Sequence, residues 1–231
     1  MARTSPLICL TLVSAAALGL VGCASVSNPV LAVVQGTFAG LWGSKSAYTV
    51  PEKPNPAFRY LRVDVDGRPP VLMALGYVEP GPWGEVEVWY SAGREVLKTS
   101  SGRIVGSAGL ETDWRLVRFA ARPPAWASSA VEATTLERTR DVMPGYRFGV
   151  RERLQLSKVN LMPKGAAPAK LPGVVTWYFE QVAEPAVSDL PASIYAVAGK
   201  DDGATVVYSR QCLSAELCLH LQPWPVADAV P

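Results

Sequence analysis

Hydrophobic and polar positions divide this chain into two regions with different patterns. Between Leu7 and Val21 nearly every residue is apolar, whereas from Phe58 onwards apolar and polar residues alternate in short runs. The first region has about 15 apolar residues, fewer than the roughly 20 that a helix needs to cross a bilayer. Alternation with period two is typical of β-strands with one buried face. We therefore expect a short apolar leader followed by a β-rich body.

The alternating runs are separated by turn sequences at regular intervals. In the run FRYLRVDVDG, apolar residues alternate with charged ones before a turn at Asp66-Gly67. A similar turn follows at Ser101-Gly102, and another where Gly203 closes the run KDDG. Short strands linked by such turns form hairpins rather than strand–helix–strand units. The pattern therefore predicts an antiparallel meander.

The predicted strands form two β regions, at 57–120 and 146–231. Between them, 121–145 loses the alternation and is predicted to be an irregular connector. We expect a mainly β fold in which antiparallel meander sheets form a sandwich or a flattened half-barrel. Each region places a Tyr-Ser pair after a turn, which is compatible with two similar halves.

Residues 23–56 are predicted to contain a lipid-anchored leader, a short helix and a proline-rich linker. Asn28 and Pro29 are typical of a helix start and Gly43 of a helix end, which predicts a helix from 29 to about 42. The prolines that follow favour an extended linker that leads into the first β region.

The apolar leader resembles the signal peptide of a bacterial lipoprotein. It begins with the basic Arg3 and ends in LVGC, which is similar to the lipobox that is cleaved before an acylated cysteine. The resemblance implies a signal peptide at 1–22 and lipidation of Cys23, so that acyl chains attach the mature chain to a membrane. Ala24 stands where the inner-membrane retention signal has Asp, which favours the outer membrane, with the chain facing the periplasm. An ordinary signal peptide that contains a cysteine is the alternative.

The charge balance is nearly even but not uniform along the chain. The whole sequence has 22 Lys and Arg against 20 Asp and Glu. This balance argues against a nucleic-acid partner, because such domains have a marked basic excess. The middle of the chain, 94–158, is nevertheless basic, with twelve Lys and Arg against seven Asp and Glu.

Four cysteines have different expected roles. Cys9 lies in the leader, and Cys23 is the predicted lipidation site. Cys212 and Cys218 are close in sequence, and outside the cytoplasm we expect them to form a disulfide. With His220 they also make three potential zinc ligands, and unbridged thiols are a third alternative. We expect no metal and no cofactor, because no fourth ligand is apparent nearby.

The basic middle region contains the candidate residues for ligand binding. Arginine pairs with carboxylates, and aromatic faces stack on sugar rings, so these residue types together suit an anionic polysaccharide. The structural alternative is that the aromatic residues are ordinary core residues and the cations cover a solvent face. The candidates for glycan binding are Arg94, Lys98, Arg103, Arg115, Arg118, Trp89 and Trp114.

Several strand and turn motifs resemble the YjbF family of bacterial lipoproteins, which accompany capsule and exopolysaccharide secretion genes. The resemblance covers the segment from Phe58 to Leu110, the run RTRDVMPGY at 138–146, and the hairpin SIYAVAGKDDGATVVYSRQCLSAELCLHLQPW. It implies an antiparallel β protein on the periplasmic side of the outer membrane that helps to assemble or export a polysaccharide. Partners implied are an anionic polysaccharide and outer-membrane polysaccharide export components.

Catalytic patterns are weak in this sequence. The single histidine, His220, is the only centre for Ser-His or Cys-His chemistry, and no G-x-S-x-G motif is present. A glycosidase needs two carboxylates that face each other. The acidic pairs in DVD and EVE, at 64–66 and 85–87, instead project from one strand face each. We therefore expect a non-enzymatic protein, and a glycan-modifying hydrolase with facing carboxylates is the alternative.

Overall fold

The computed structural model of the protein describes residues 50–126, 134–184 and 188–226. The predicted signal peptide, the lipidation site Cys23 and the helix predicted from 29 to about 42 lie outside the described residues. Within these ranges, twelve β-strands and one short 3-10 helix, Asp201–Gly203, make up the regular structure. The strands are β1 Tyr60–Val65, β2 Val71–Gly81, β3 Gly84–Tyr90, β4 Val96–Ser100, β5 Arg103–Ala108, β6 Asp113–Phe119, β7 Thr134–Met143, β8 Arg147–Val159, β9 Thr176–Val182, β10 Ser193–Ala198, β11 Thr205–Cys212 and β12 Cys218–Trp224.

All twelve strands belong to one antiparallel sheet. Its order is β5-β4-β3-β2-β1-β12-β11-β10-β9-β8-β7-β6, so neighbours in sequence are neighbours in space and β12 also pairs with β1. Strands β5 and β6, which follow each other in the chain, are the two ends of this order and lie against each other. The sheet is therefore nearly closed on itself. This confirms the predicted mainly β, antiparallel meander.

Strand β7 lies within the segment that the sequence predicted as an irregular connector. The described part of 121–145 is irregular up to residue 126, but Thr134–Met143 is a strand paired with β6 and β8. Its buried positions include Arg138 and Arg140, which are 6% and 3% exposed. Because two inward positions carry charges instead of apolar side chains, the strand has little hydrophobic alternation and was not recognised.

Alternating strand direction places the loops at two opposite ends of the sheet. One end contains the β11–β12 hairpin, and we call it the closed end. There the predicted disulfide between Cys212 and Cys218 is confirmed, and it leaves neither sulfur free for zinc. The hairpin turns Leu213 and Leu217 into the main core cluster. The indole Nε1 of Trp114 donates to the Leu213 carbonyl at 3.0 Å, so this end is filled by packed side chains.

Two segments outside the sheet cover parts of its outer face. The chain before β1 packs Val50 and Phe58 against the sheet, and the indole Nε1 of Trp224 donates to the Pro51 carbonyl at 2.8 Å. The β8–β9 connection is held by a hydrogen bond of 2.8 Å from the Ala167 amide to the Tyr208 hydroxyl. Within the described ranges, no helix combines the length and apolar character needed to cross a membrane.

Candidate functional site

The end of the sheet opposite the disulfide hairpin contains a large cavity, which we call the open-end cavity. Its volume is about 1660 Å³. Its walls come from the start of β1, the β2–β3 hairpin, the β4–β5 turn, β6 and the segment after it, the β10–β11 turn and the end of β12. The cavity thus reaches from the loops at this end to the middle of several strands.

Basic side chains outnumber acidic ones in the cavity wall. Because like charges accumulate there, the cavity favours an anionic ligand over a cationic one. The basic lining residues are Lys53, Arg59, Lys98, Arg103, Arg115, Arg118 and Arg122, and the acidic ones are Glu79, Glu85 and Glu87.

Two of the cavity's acidic residues are paired with basic ones. Lys98 Nζ lies 2.7 Å from Glu79 Oε1, and the Arg59 guanidinium donates to Glu87. Glu87 also accepts a hydrogen bond of 3.2 Å from the Thr99 hydroxyl. These contacts fix the carboxylates within the wall and offset part of its positive charge.

Three arginines on β6 and just after it line the cavity and have exposed side chains. Arg115 and Arg118 lie in β6 and Arg122 follows it, and all three side chains are exposed. We call them the rim arginines. None of the three forms an ion pair with a carboxylate among residues 50–126, 134–184 and 188–226. Exposed guanidinium groups without a protein partner are suited to binding carboxylate or phosphate groups of a ligand.

Arg103 has a different environment deeper in the wall. Its Nε donates to Glu180 Oε2 at 2.8 Å, and both side chains are almost completely buried. Its guanidinium carbon lies 4.0 Å from the ring centroid of Trp126. The hydroxyl of Tyr195 is close to the same carboxylate, and burial strongly raises the pKa of this tyrosine. Arg103 therefore acts as a structural partner of Glu180 in the cavity wall.

Aromatic residues line the cavity at different depths. Trp89 is buried, and its Nε1 donates to the Thr99 hydroxyl at 2.9 Å. Trp83, at the tip of the β2–β3 hairpin, is 39% exposed and its Nε1 donates to the Phe119 carbonyl at 3.3 Å. The hairpin tip thus reaches the end of β6 and presents an aromatic side chain to the cavity.

The structure brings together five of the seven residues predicted to bind glycan. Lys98, Arg103, Arg115, Arg118 and Trp89 all line the open-end cavity. The other two residues of the prediction lie elsewhere.

Arg94 lies in the turn between β3 and β4, at the closed end of the sheet. Trp114 is 1% exposed and lies under two buried arginines, with guanidinium carbons 4.7 and 4.6 Å from its ring centroid. These arginines, Arg138 and Arg140, both bind Glu152. Burial alone would raise the pKa of Glu152, but hydrogen bonds and charge from the two arginines lower it to about 2. This triad was not recognised from the sequence.

The residues considered for catalysis are dispersed. His220 is on the outer face of β12, where its Nδ1 lies 2.7 Å from the Tyr208 hydroxyl. Burial lowers the pKa of His220. Asp64 binds Arg62 at 2.8 Å outside the cavity, whereas Glu85 and Glu87 line it. In the part of the chain that the structure describes, no three His, Cys, Asp or Glu side chains are grouped as a metal site requires.

Other lining residues were missed at the sequence level. Trp83, between Pro82 and Gly84, was not among the candidate residues, although it lines the cavity. Lys53 lies in the proline-rich linker, Arg59 at the start of the first predicted β region, and Arg122 at the start of the predicted connector. These residues come together only because the segment before β1 and the segment after β6 lie at the same end of the sheet. Local sequence does not show this arrangement.

Comparison with known proteins agrees with the sequence resemblance and the fold. The family model described as "Group 4 capsule polysaccharide lipoprotein gfcB, YjbF" matches residues 54–219. The crystal structure of the hypothetical lipoprotein YmcC from Escherichia coli (K12) is similar, with a TM-score of 0.54 and 16% identity over 75% of this chain and 86% of that chain. At this identity the similarity shows the fold. A search of the curated proteins finds no match. The chain therefore belongs to the YjbF family of group 4 capsule polysaccharide lipoproteins.

Proposed function

We propose that this protein is a non-enzymatic lipoprotein of the outer membrane that faces the periplasm and assists the assembly or export of capsule or exopolysaccharide. In this role the open-end cavity binds an acidic glycan at its mouth. The observation that carries the proposal is that the rim arginines and Trp83 all line one cavity of about 1660 Å³. Arginines supply charge-assisted hydrogen bonds to uronate carboxylates, and the indole supplies a stacking face for a sugar ring.

Membrane attachment in this proposal follows from family membership and from the expected acylation of Cys23. The family description names a lipoprotein of capsule polysaccharide systems. Two or three acyl chains give stable attachment, whereas one chain gives only marginal binding. Cell fractionation with mass spectrometry of the mature N-terminus tests this part, and an unmodified cysteine or a soluble fraction would contradict it.

A glycan hydrolase is the second candidate, because three glutamates line the cavity. Hydrolysis requires one carboxyl group as acid and another as base or nucleophile on opposite sides of the bond. Glu79 and Glu87 are each paired with a basic residue, which leaves Glu85 as the exposed carboxylate. Product formation from native polymer that is lost in Glu85→Gln would favour this candidate over a binding role.

Binding is tested with the mature chain, residues 23–231, carrying Cys23→Ser so that it has no acyl group. Calorimetric titration with a uronic-acid polymer at low salt should show saturable binding. The double variant Arg115→Ala/Arg118→Ala should bind at least about tenfold more weakly, because two charge-assisted contacts are lost. Binding should also weaken with added salt, because exposed charges are screened.

The matched control is Arg94→Ala, which removes an exposed arginine at the closed end of the sheet. Its affinity should equal that of the unsubstituted chain. If the polymer does not bind, or if the double variant binds as well as the control, the glycan proposal is wrong. In that case crosslinking in cells to outer-membrane export components tests the remaining partner proposal.

A further inference from the structure

The deep wall of the open-end cavity is apolar. Leu61, Trp89, Val117 and Leu221 line it and also belong to the main core cluster, and Val105 packs against that cluster. These four side chains are buried, whereas Val105 and Phe119 are half-buried and present apolar surface to the cavity. The deep wall therefore favours an apolar ligand over a polar one.

Among the described residues, the hydroxyl groups that reach the deep wall have protein partners, whereas Arg103 Nη2 is buried without one. The Thr99 hydroxyl binds Trp89 and Glu87, and the Ser209 hydroxyl accepts from the side-chain amide of Gln211 at 2.8 Å. A sugar unit at this depth would bury several hydroxyl groups with few partners to bind them, at a cost of roughly 1–3 kcal/mol each. An alkyl chain has no such cost.

The size of the cavity also exceeds that of a site for a small molecule. Pockets for drug-sized ligands usually measure about 300–1000 Å³, against about 1660 Å³ here. A chain that runs inward from the mouth would use this volume, whereas a glycan bound only at the mouth would leave the deep part empty.

We propose that the open-end cavity binds an anionic amphiphile, with the apolar chain against the core cluster and the anionic head group at the rim arginines. Guanidinium groups bind phosphate and carboxylate alike, so the head group is an acidic one of either chemistry. This last step rests on the proposed function. With an acidic glycan as the partner, the ligand class is a lipid-linked acidic glycan. The lipid then occupies the cavity and the glycan extends from its mouth.

The position of the chain entry fits this orientation. The Pro51 carbonyl accepts a hydrogen bond from the indole of Trp224 at the end of β12, and Trp224 itself lines the cavity. The chain from the expected lipidation site therefore reaches the sheet at the same end as the mouth. A protein held to the membrane from this end presents the mouth towards the surface in which amphiphiles reside.

Binding of a simple probe tests the proposal on the mature chain with Cys23→Ser. Dodecyl phosphate has the chain and the charge, dodecyl maltoside has the chain without the charge, and inorganic phosphate has the charge without the chain. Calorimetry below the critical micelle concentrations should show one saturable site for dodecyl phosphate. Its affinity should exceed that of dodecyl maltoside about tenfold or more, and inorganic phosphate should not saturate.

Two groups of variants locate the site. Arg115→Ala/Arg118→Ala/Arg122→Ala should reduce the affinity for dodecyl phosphate to that for dodecyl maltoside. Val105→Trp should fill the deep wall and weaken both alkyl probes about tenfold, whereas Val105→Ala should retain them. Ala204→Trp, on another part of the wall, serves as an independent filling variant.

The proposal is overturned if dodecyl phosphate does not bind, if dodecyl maltoside binds equally well, or if neither filling variant weakens binding in a folded chain. These results are distinct from the test of glycan binding. A chain that binds uronic-acid polymer but not dodecyl phosphate supports the proposed function and refutes the amphiphile. The reverse result retains the amphiphile and refutes the glycan partner.

Discussion

The Ser107 hydroxyl donates a hydrogen bond to Asp113 Oδ1 at 2.9 Å and thereby joins the two end strands of the sheet order, β5 and β6. The same hydroxyl accepts from the Trp114 amide at 2.9 Å. The Asp113 carboxylate also accepts from the amides of Gly109 and Leu110, in the turn between the strands. One buried carboxylate therefore fixes the turn and the point where the sheet comes closest to closing.

Removal of this carboxylate should destabilise the fold. Asp113→Ala leaves two amides and a hydroxyl without their acceptor in a buried position, so we expect a loss of about 2–4 kcal/mol in the free energy of unfolding. Asp113→Asn keeps one acceptor oxygen and should cost less. Urea denaturation measures both, and hydrogen exchange should show faster exchange of the β5 and β6 amides. The control Glu111→Ala removes an exposed carboxylate two residues away and should change stability little; equal losses in both variants would contradict the assigned role.

The buried Glu152 should make stability depend on acid pH. Its pKa is about 2, below the ordinary value of 4.5, so the ionised form is favoured in the folded state. The contribution is complete above about pH 4.5 and is lost as pH falls towards 2, where the folded state also binds the proton. A shift of this size corresponds to about 3 kcal/mol. Unfolding of the unsubstituted chain and of Glu152→Gln between pH 5.5 and 2.5 measures this difference.

At neutral pH the same variant should already be less stable. Glu152→Gln leaves Arg138 and Arg140 buried without a counter-charge, and breaking a buried pair costs about 3–5 kcal/mol. The matched control is Glu137→Gln on the same hairpin, where the side chain is exposed. An acid-dependent loss of stability that is identical in Glu152→Gln and in the unsubstituted chain would show that another group is responsible.

The regular strands could be predicted because their inward positions are apolar. Leu61 and Val63 alternate with charged residues, and both face the core cluster as expected. Strand β7 could not be recognised in this way, because Arg138 and Arg140 occupy inward positions and find their counter-charge only on the next strand. Local sequence does not show that Glu152 will be opposite them.

The candidate site, too, could be predicted only in part, because local sequence does not show which distant residues come together. The basic and aromatic residues between 89 and 118 were identified from residue type alone, which does not show at which end of a strand each one lies. Arg94 and Arg103 are nine positions apart, but strand β4 lies between them and places them at opposite ends of the sheet. The ion pair of Arg103 with Glu180 joins residues 77 positions apart, so its structural role follows only from the fold.

His220 should contribute a second pH dependence, near neutrality. Burial lowers its pKa from the ordinary value of 6.5 in the folded state, although Asp66 at 3.5 Å and Asp64 oppose this and Arg210 adds to it. The unfolded chain then binds the proton at higher pH, so this contribution is complete above about pH 6.5 and is lost as pH falls through that value. The urea midpoint should fall between pH 7.5 and 5.5, and His220→Gln should remove part of that fall. If the urea midpoint of His220→Gln falls between pH 7.5 and 5.5 as much as that of the unsubstituted chain, this assignment is wrong.

The disulfide should stabilise the closed end of the sheet. Cys212 and Cys218 close a short loop that carries Leu213 and Leu217 into the core cluster. In the chain-entropy model such a loop contributes about 2 kcal/mol. Dithiothreitol should therefore lower the urea midpoint of the unsubstituted chain. Cys212→Ser/Cys218→Ser should match the reduced protein and show no further change with the reductant; a midpoint that is insensitive to reduction would contradict this prediction.

Trp83 should contribute to glycan binding without contributing much to stability. It is 39% exposed at the mouth of the open-end cavity, and its only side-chain hydrogen bond among the described residues is the one to the Phe119 carbonyl. Trp83→Ala removes a stacking face, and we expect the affinity for uronic-acid polymer to fall about tenfold. Trp83→Phe retains a ring and should bind with intermediate affinity. The matched control is Tyr146→Ala, which removes an aromatic side chain that is 73% exposed at the closed end. If both alanine variants reduce polymer binding equally, the aromatic contribution is not specific to the cavity mouth.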